Sequence, residues 1–242
     1  MHPLLDQAAR LVVAHRGASA EAPENTMAAF ERAVELGADA VELDVHCSAD
    51  GQVVVLHDAT LDRTTTARGP VAARTAAELA TLGVPRLADV LAAWPTLPLL
   101  VEVKVAAASG ALARLLREQR AVERCVVASE HDDAMLPFRA PPFLAGATRR
   151  DIVRLVVAPL LGTPRSPAYR LLSVPWRHRG IDVPTAGFIR RAAALGAAVS
   201  VWTVDDPTLA TQLWARGANG VLTNDPRRLL PLRPGRASAR TG

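Results

Sequence analysis

The chain has 242 residues, of which 50% are hydrophobic, and this length can bury the core of one barrel-sized domain. Its net charge of +4 and its isoelectric point of about 10.0 would suit a nucleic-acid partner. The arginines are scattered, however, and no aromatic stacking motif accompanies them, so we expect no nucleic-acid binding. Two cysteines are too few for a disulfide framework, and no run approaches the roughly 18 apolar residues of a membrane span. We therefore expect a cytoplasmic protein without stable membrane insertion.

The first apolar run, at about 11–15, has the pattern of a buried strand and ends in His-Arg-Gly. Apolar residues at helical spacing follow it. Asn25 is the candidate N-cap of this helix, which runs to Leu36 and ends at Gly37. The sequence therefore opens with a strand followed by a helix.

A second strand is predicted at 40–46, where acidic and apolar residues alternate. QVVVLHD is an additional strand that delivers His57. The stretch 58–86 is polar and rich in turn residues, which predicts a small insertion after strand two. Because the insertion leaves a C-terminal strand end, we expect it to overhang the catalytic mouth.

From strand three onward, strands and helices alternate regularly. The predicted strands are LPLLVEVKV, CVVAS, FLAGAT, RLLSVPW, AAVSVWTV and NGVLTN, and the helices lie at 109–119, from 131, and at 149–160, 184–195, 206–216 and near 226. Eight strands in this alternation, without GxGxxG after the first, predict an α/β fold, a (β/α)8 TIM barrel rather than a doubly wound sheet. We interpret 1–242 as one catalytic domain with a flexible tail at 231–242.

Ionisable side chains stand at the ends of three predicted strands, where barrel enzymes carry their chemistry. They are His15 and Arg16 on strand one, Glu42 and Asp44 on strand two, and Glu102 and Lys104 on strand three, with Trp202 on strand seven. Residues two apart share one face of a strand, so the acids and Lys104 point into one volume. Buried carboxylates need a cationic partner, which predicts a divalent cation, Mg²⁺ or Ca²⁺, on the three acids.

The basic residues of this set suit phosphate-ester chemistry. Arg16 and Lys104 would neutralise a phosphodiester, and Lys104 is the one lysine in a chain that otherwise uses arginine. His15 and His57 suit proton transfer near neutral pH, although the sequence does not say which is the acid and which the base. His46 could support the site or pack in the core.

Eight short motifs occur in a fixed order: AHRG, PENT, ELDV, a DG turn, VVVLHD, VEVK, VWTV and GVLTNDP. Together they resemble the glycerophosphodiester phosphodiesterase family, over about residues 11–58, 98–105 and 171–230. The resemblance implies a barrel with a small insertion after strand two. It also implies hydrolysis of a small-molecule glycerophosphodiester to glycerol 3-phosphate and an alcohol, with a divalent cation.

The resemblance also assigns roles, position by position. It implies that His15 and His57 are the acid/base pair and that Arg16 and Lys104 contact the phosphate. The implied metal ligands are Glu42, Asp44 and Glu102. Trp202 matches a pocket tryptophan, and Glu24 matches an acid that supports the mouth, where a capping role is equally possible. Two features depart from the family's pattern. An aromatic residue usually follows the Ser of VVASEHDD, and an Asp commonly replaces Asn219 or Asn224. The identity of the leaving alcohol is therefore not indicated.

Two other functions remain open. Residues 149–167 form an apolar stretch with basic flanks; a barrel helix is the simpler interpretation. A lipid-contacting patch there would instead allow headgroup release from lysophospholipids. The second alternative, a non-catalytic binder of phosphorylated ligands, predicts a lost acid, base or ligand, whereas this chain retains each one. The oligomeric state is not indicated.

Overall fold

The computed structural model describes residues 2–161 and 167–234. Its strands are β1 (Leu11–His15), β2 (Ala40–Cys47), β3 (Val53–Val55), β4 (Leu99–Val103), β5 (Cys125–Ala128), β6 (Leu144–Ala145), β7 (Leu171–Pro175), β8 (Arg177–His178), β9 (Ile181–Asp182), β10 (Ala198–Trp202) and β11 (Gly220–Thr223). Its helices are α1 (Met27–Leu36), α2 (Ala76–Ala80), α3 (Leu87–Ala93), α4 (Ala106–Glu118), α5 (Arg149–Leu161), α6 (Ala186–Ala194), α7 (Pro207–Arg216) and α8 (Pro226–Leu229). No helix within these ranges is both long enough and apolar enough to cross a bilayer.

The predicted barrel is confirmed. Parallel strands pair in the order β6-β5-β4-β2-β1-β11-β10-β7, and β3 adds to β2 in antiparallel fashion. A parallel bridge between Gly146 and Leu171 brings the two edges together, so the eight parallel strands form a nearly closed barrel. Parallel pairing places all eight C-terminal strand ends at one rim, which we call the mouth.

Apolar side chains fill the barrel interior, among them Val13, Leu100 and Leu222. The N-terminal segment closes the end opposite the mouth: Leu4 is fully buried, and His2 accepts from its backbone N–H. The ring is buried because it also contacts the carbonyl of Arg124, just before β5.

The helix after β1 begins differently from the prediction. Thr26, with extended backbone, is the N-cap of α1, and its hydroxyl accepts from Ala29 N–H. Asn25 as the cap is therefore wrong. Asn25 instead adopts a left-handed conformation (φ 57°) and is buried, with its side chain directed to β2.

Elements between β4 and α6 differ in other details. The helix predicted at 109–119 begins at Ala106, and a 3₁₀ turn (Leu136–Phe138) replaces the short helix expected from 131. The β8–β9 hairpin was not predicted, because two-residue strands are too short to show a period. Of the expected tail, residues 231–234 are described, and 235–242 lie outside the described residues.

The segment that follows β3 packs around a small apolar core of its own. Leu61, Val71 and Leu79 bury their side chains against Val54 and Leu56. Because β3 pairs with the last residues of β2, from Val45 to Cys47, the segment lies beside the C-terminal end of β2. It is thus next to the mouth.

Candidate active site

The three acids meet at the mouth because of strand register. Asp44 on β2 is paired directly with Glu102 on β4, and Glu42 lies two residues before Asp44 on the same face. One carboxylate oxygen from each acid lies within 4.8 Å of those of the other two. Glu42 and Asp44 are buried, and Glu102 is partly exposed.

Burial and mutual repulsion govern the ionisation of these acids. Burial, with the charges of Asp44 and Glu102, raises the pKa of Glu42 well above its ordinary value. Burial also raises the pKa of Glu102. Burial acts in the same direction on Asp44, but Lys104, Arg16 and an Asn25 hydrogen bond outweigh it and lower the pKa. Asp44 is thus the carboxylate that the site keeps ionised.

Two basic side chains contact Asp44 from opposite sides. The Lys104 ammonium lies 3.0 Å from Oδ1 of Asp44 and 2.8 Å from Oε1 of Glu102. Nε of Arg16 lies 3.2 Å from Oδ2 of Asp44, and its terminal nitrogen donates to Glu24 at 2.9 Å. The backbone of Arg16 is left-handed (φ 59°), and its N–H donates to the Glu42 carboxylate. The site therefore holds cationic groups suited to a phosphate.

A divalent cation fits this donor set. Oδ1 of Asp44 is buried and faces the Lys104 ammonium at 3.0 Å, but it accepts no hydrogen bond from any other described residue, so one of its two lone pairs is still available. The ligand atoms are all carboxylate oxygens, the type that Mg²⁺ and Ca²⁺ prefer. A cation would also relieve the repulsion that raises the pKa of Glu42. Glu42, Asp44 and Glu102 are the residues that could hold it.

His15 is held by an asparagine. Its Nδ1 lies 2.9 Å from Oδ1 of Asn224, whose own amide group donates to Asp205 at 2.9 Å. Since the amide nitrogen is used by Asp205, the amide oxygen faces the ring, and Nδ1 of His15 must carry the proton. Nε2 is left as an acceptor, 3.9 Å from Glu42. Burial lowers the pKa of His15, which favours the neutral ring.

His57 is held by a carboxylate. It lies just beyond β3, and its Nδ1 is 2.6 Å from Oδ1 of Asp58. Arg63 donates to the other oxygen of Asp58 and also to both oxygens of Glu24. The Arg63 hydrogen bond is the main reason that the pKa of Asp58 falls to about 2. The carboxylate beside His57 is therefore ionised.

The other candidates have defined positions. Trp202 ends β10 at the mouth and is half-buried against the barrel interior. Nε2 of His46 contacts the backbone carbonyl of His57, so His46 supports the segment that carries His57. Glu24 lies between two arginines, Arg16 and Arg63, and not at a helix cap.

Five residues around the site make contacts that the sequence did not predict: Asn25, Asp58, Arg63, Asp205 and Asn224. Asn25 and Asp44 exchange two hydrogen bonds, at 2.8 and 3.3 Å. Asp205 and Asn224 could have been found, because both follow predicted strands at the C-terminal ends where barrel chemistry lies. Arg63 gave no such signal, since it lies in the polar segment after β3.

Comparison with known proteins gives one family. The model of the glycerophosphoryl diester phosphodiesterase family matches residues 15–228. A glycerophosphodiester phosphodiesterase from Caldanaerobacter subterraneus subsp. tengcongensis is 63% identical over 59 residues, which cover 24% of this chain and 24% of that protein. The chain thus matches about a quarter of this relative's length.

Solved structures extend the likeness to nearly the whole chain. A glycerophosphodiester phosphodiesterase from Thermotoga maritima is 26% identical, with a TM-score of 0.77 over 92% of this chain and 98% of the other. A phosphodiesterase from Oleispira antarctica, solved in complex with sn-glycerol-3-phosphate, shares the fold at 23% identity. Its TM-score is 0.75, over 91% of this chain and 95% of that one.

Proposed function

Because the chain belongs to the glycerophosphoryl diester phosphodiesterase family, we propose that it hydrolyses water-soluble glycerophosphodiesters to glycerol 3-phosphate and an alcohol. The observation that carries the proposal is the convergence of three acids, Arg16 and Lys104 at one rim. The product is also the molecule bound by the Oleispira antarctica phosphodiesterase.

Arg16 and Lys104 are the residues that we assign to the phosphate. A phosphodiester carries negative charge that repels a nucleophile, and two nearby cations offset it. Glu42, Asp44 and Glu102 would hold a divalent cation, Mg²⁺ or Ca²⁺, which when bound polarises a phosphoryl oxygen as a Lewis acid. The half-buried ring of Trp202 offers a flat apolar surface for the glycerol or the leaving alcohol.

We assign His15 as the general base and His57 as the general acid. The partner of His15 is a neutral amide that fixes the proton on Nδ1, so Nε2 can take a proton from the attacking hydroxyl. The partner of His57 is a carboxylate, which accepts from Nδ1 and orients the ring so that its other nitrogen, Nε2, can give a proton to the leaving oxygen. The attacking hydroxyl is either the substrate's own neighbouring group or water, and phosphorus NMR of early products separates a cyclic phosphate from direct hydrolysis.

The test of this function is glycerol 3-phosphate release from glycerophosphocholine by the purified protein. We expect activity that a chelator removes and that added Mg²⁺ or Ca²⁺ restores. His15→Ala should lose about 10²-fold or more in kcat, and His131→Ala, an exposed histidine, is the matched control. Full activity in His15→Ala would contradict the proposal.

A second candidate substrate is a lysophospholipid, from which the same chemistry would release the headgroup. Its support is a set of exposed apolar side chains near the mouth, among them Trp176 and Ile181. Competition between micellar lysophosphatidylcholine and soluble glycerophosphocholine decides between the two substrates.

A further inference from the structure

Residues 176–182 form an exposed hairpin, which we call the mouth hairpin. β8 and β9 pair Arg177 with Asp182 and His178 with Ile181. The two-residue turn between them has positive φ at both positions, 48° at Arg179 and 84° at Gly180, as in the tight turns that hairpins prefer. All seven residues are exposed, and Ile181 exposes 71% of its surface.

The mouth hairpin stands on the same rim as the candidate active site. It continues directly from the C-terminal end of β7, and Trp176 N–H donates to the carbonyl of Trp202 at 2.9 Å. Trp202 ends the neighbouring strand β10. Whatever the hairpin touches is therefore brought close to the mouth.

Exposed apolar side chains concentrate in this sector of the barrel. Among the residues whose side chains the structure describes, 2–158 and 167–234, seven large hydrophobic residues are exposed. Five of them lie between positions 136 and 181: Leu136, Val153, Val156, Trp176 and Ile181. Leu136 and the mouth hairpin lie in connections that leave the C-terminal ends of β5 and β7. Single exposed apolar residues are ordinary, but three of these five, Leu136, Trp176 and Ile181, lie in connections on the same side of the rim.

Basic side chains accompany these apolar ones. Arg177, His178 and Arg179 lie in the mouth hairpin, and Arg149, Arg150 and Arg154 lie in the first two turns of α5, which begins on the mouth side after β6. Five acids lie in the same stretches, Glu130, Asp132, Asp133, Asp151 and Asp182, and two of them form ion pairs among the described residues. Asp182 lies 3.7 Å from Arg177, and Asp132 lies 3.1 Å from Arg139 and 3.8 Å from Arg150.

Three arginines of this sector remain available to a ligand. Arg149, Arg154 and Arg179 are exposed and form no ion pair within 4 Å among the described residues. Asp132 is near enough to Arg154 for the arginine to contribute to its lowered pKa, so Arg149 and Arg179 are the least compensated.

We infer that this sector of the mouth docks on an anionic lipid surface, with Trp176 and Ile181 entering the headgroup layer and the arginines contacting lipid phosphates. The apolar groups protrude singly among cations, which a fluid interface accommodates and a flat protein partner does not. Tryptophan is also the side chain that favours the membrane interface. Docking itself does not depend on the proposed function. The proposed function enters only in one respect, because a docked mouth would receive phosphodiesters from the headgroup layer.

Co-sedimentation with vesicles tests the docking. Vesicles of equal parts phosphatidylcholine and phosphatidylglycerol should pellet the protein, and vesicles of phosphatidylcholine alone should pellet much less. The test variant is Ile181→Ser with Arg179→Asn, since Asn tolerates the left-handed turn and removes the charge. We expect its partition coefficient to fall by about tenfold or more. Loss of one arginine charge should lower it by roughly fivefold, and loss of the apolar Ile181 side chain from the headgroup layer should lower it further.

The matched control is Val34→Ser, an exposed apolar residue on α1 outside this sector, which should bind vesicles as the wild type does. Equal pelleting of wild type and hairpin variant, or no preference for anionic vesicles, overturns the docking. Turnover of soluble glycerophosphocholine without vesicles is measured on the same preparations. Absence of that turnover with intact vesicle binding counts against the proposed phosphodiesterase and leaves the docking supported.

Discussion

Asn224 contacts Nδ1 of His15 at 2.9 Å and is itself fixed by Asp205, so the amide determines which ring nitrogen of His15 faces the acids. Its backbone N–H also donates to Asp205, at 2.8 Å, and Ser19 donates to its side-chain oxygen at 3.0 Å. Three contacts therefore hold one amide in one orientation. Because a histidine serves as a base only through its unprotonated nitrogen, Asn224 would act on the proposed chemistry by setting the tautomer of His15.

We expect Asn224→Ala to lower kcat by about 10²-fold with little change in KM, because the ring of His15 loses the acceptor that fixes its tautomer. Steady-state kinetics on glycerophosphocholine measure the two constants. Ser19→Ala is the matched control, since it removes the hydroxyl that contacts Asn224 and the backbone carbonyl of His15 but leaves the contact between Asn224 and the His15 ring in place. Its kcat should stay within about threefold of wild type. Equal losses in both variants would refute the orienting role.

The two histidines should respond differently to the leaving group. A nitrophenol leaves without protonation, so the loss in His57→Asn should shrink sharply on a nitrophenyl phosphodiester of glycerol, whereas the loss in His15→Asn should persist. The comparison is kcat/KM for that substrate against glycerophosphocholine in each variant. A deficit that shrinks in His15→Asn and persists in His57→Asn would exchange the two roles.

Cation binding should depend on pH through Glu42. The pKa of Glu42 is raised by burial and by its acidic neighbours, so a cation must displace a proton there. We expect the rise in melting temperature on adding Mg²⁺ or Ca²⁺ to weaken as the pH falls through that raised pKa. Glu42→Gln should abolish most of the rise, and Glu31→Gln, at an exposed acid on α1, should retain it. A pH-independent rise in the wild type would contradict this expectation.

Arg63 should stabilise the protein at neutral pH and not in acid. It holds the pKa values of Asp58 and Glu24 at about 2, below their ordinary range, so the stabilisation is present above about pH 4 and lost as the pH falls toward 2. Since the Arg63 side chain is 47% exposed and screened by solvent, we expect Arg63→Ala to cost only about 1 kcal/mol near neutral pH.

Urea denaturation at neutral and acidic pH measures the effect of Arg63→Ala, and the difference from wild type should close in acid. Arg68→Ala is the matched control: Arg68 lies in the same segment, 3.7 Å from Asp62, with its side chain 87% exposed. Its effect should be near zero at both pH values. A pH-independent cost for Arg63→Ala would mean that lost packing, not charge, explains it.

Gly17 should be the less replaceable of two left-handed glycines. A Cβ on Gly17 would lie 2.7 Å from backbone atoms of Ala29, whereas one on Gly51 would meet nothing within 4 Å. Both have positive φ, 83° and 75°. Gly51→Ala should therefore cost only about 1 kcal/mol of conformational strain, and Gly17→Ala several times more. Thermal unfolding of both variants measures the difference, and equal melting temperatures would contradict it.

The barrel could be predicted because each strand carries a continuous apolar run or a strict alternation, signals that depend only on local sequence. The acid cluster could be predicted for the same reason: a period of two places Glu42 and Asp44 on one face, and the parallel register brings Glu102 beside Asp44. Both features follow from backbone geometry that the sequence encodes directly.

Contacts between distant loops could not be predicted in this way. Arg63 meets Glu24 and Asp58 because the segment following β3 lies beside the mouth, and no periodicity encodes that position. Asn25 looked like a helix cap because caps and left-handed turns favour the same residue type, and the buried Asp44 decided between them. The partners that orient His15 and His57 are, for this reason, findings of the structure.

Lys104 is the one lysine of the chain, and its ammonium is held between Asp44 and Glu102 with only 18% of the side chain exposed. An endoproteinase that cuts solely after lysine thus has a single target bond in this molecule, and it lies where β4 leaves the site. Cleavage requires that this side chain leave the carboxylates and enter the protease. The fraction of the protein cut into two fragments would therefore report the fraction of molecules in which Lys104 has left the mouth, without any label or substrate.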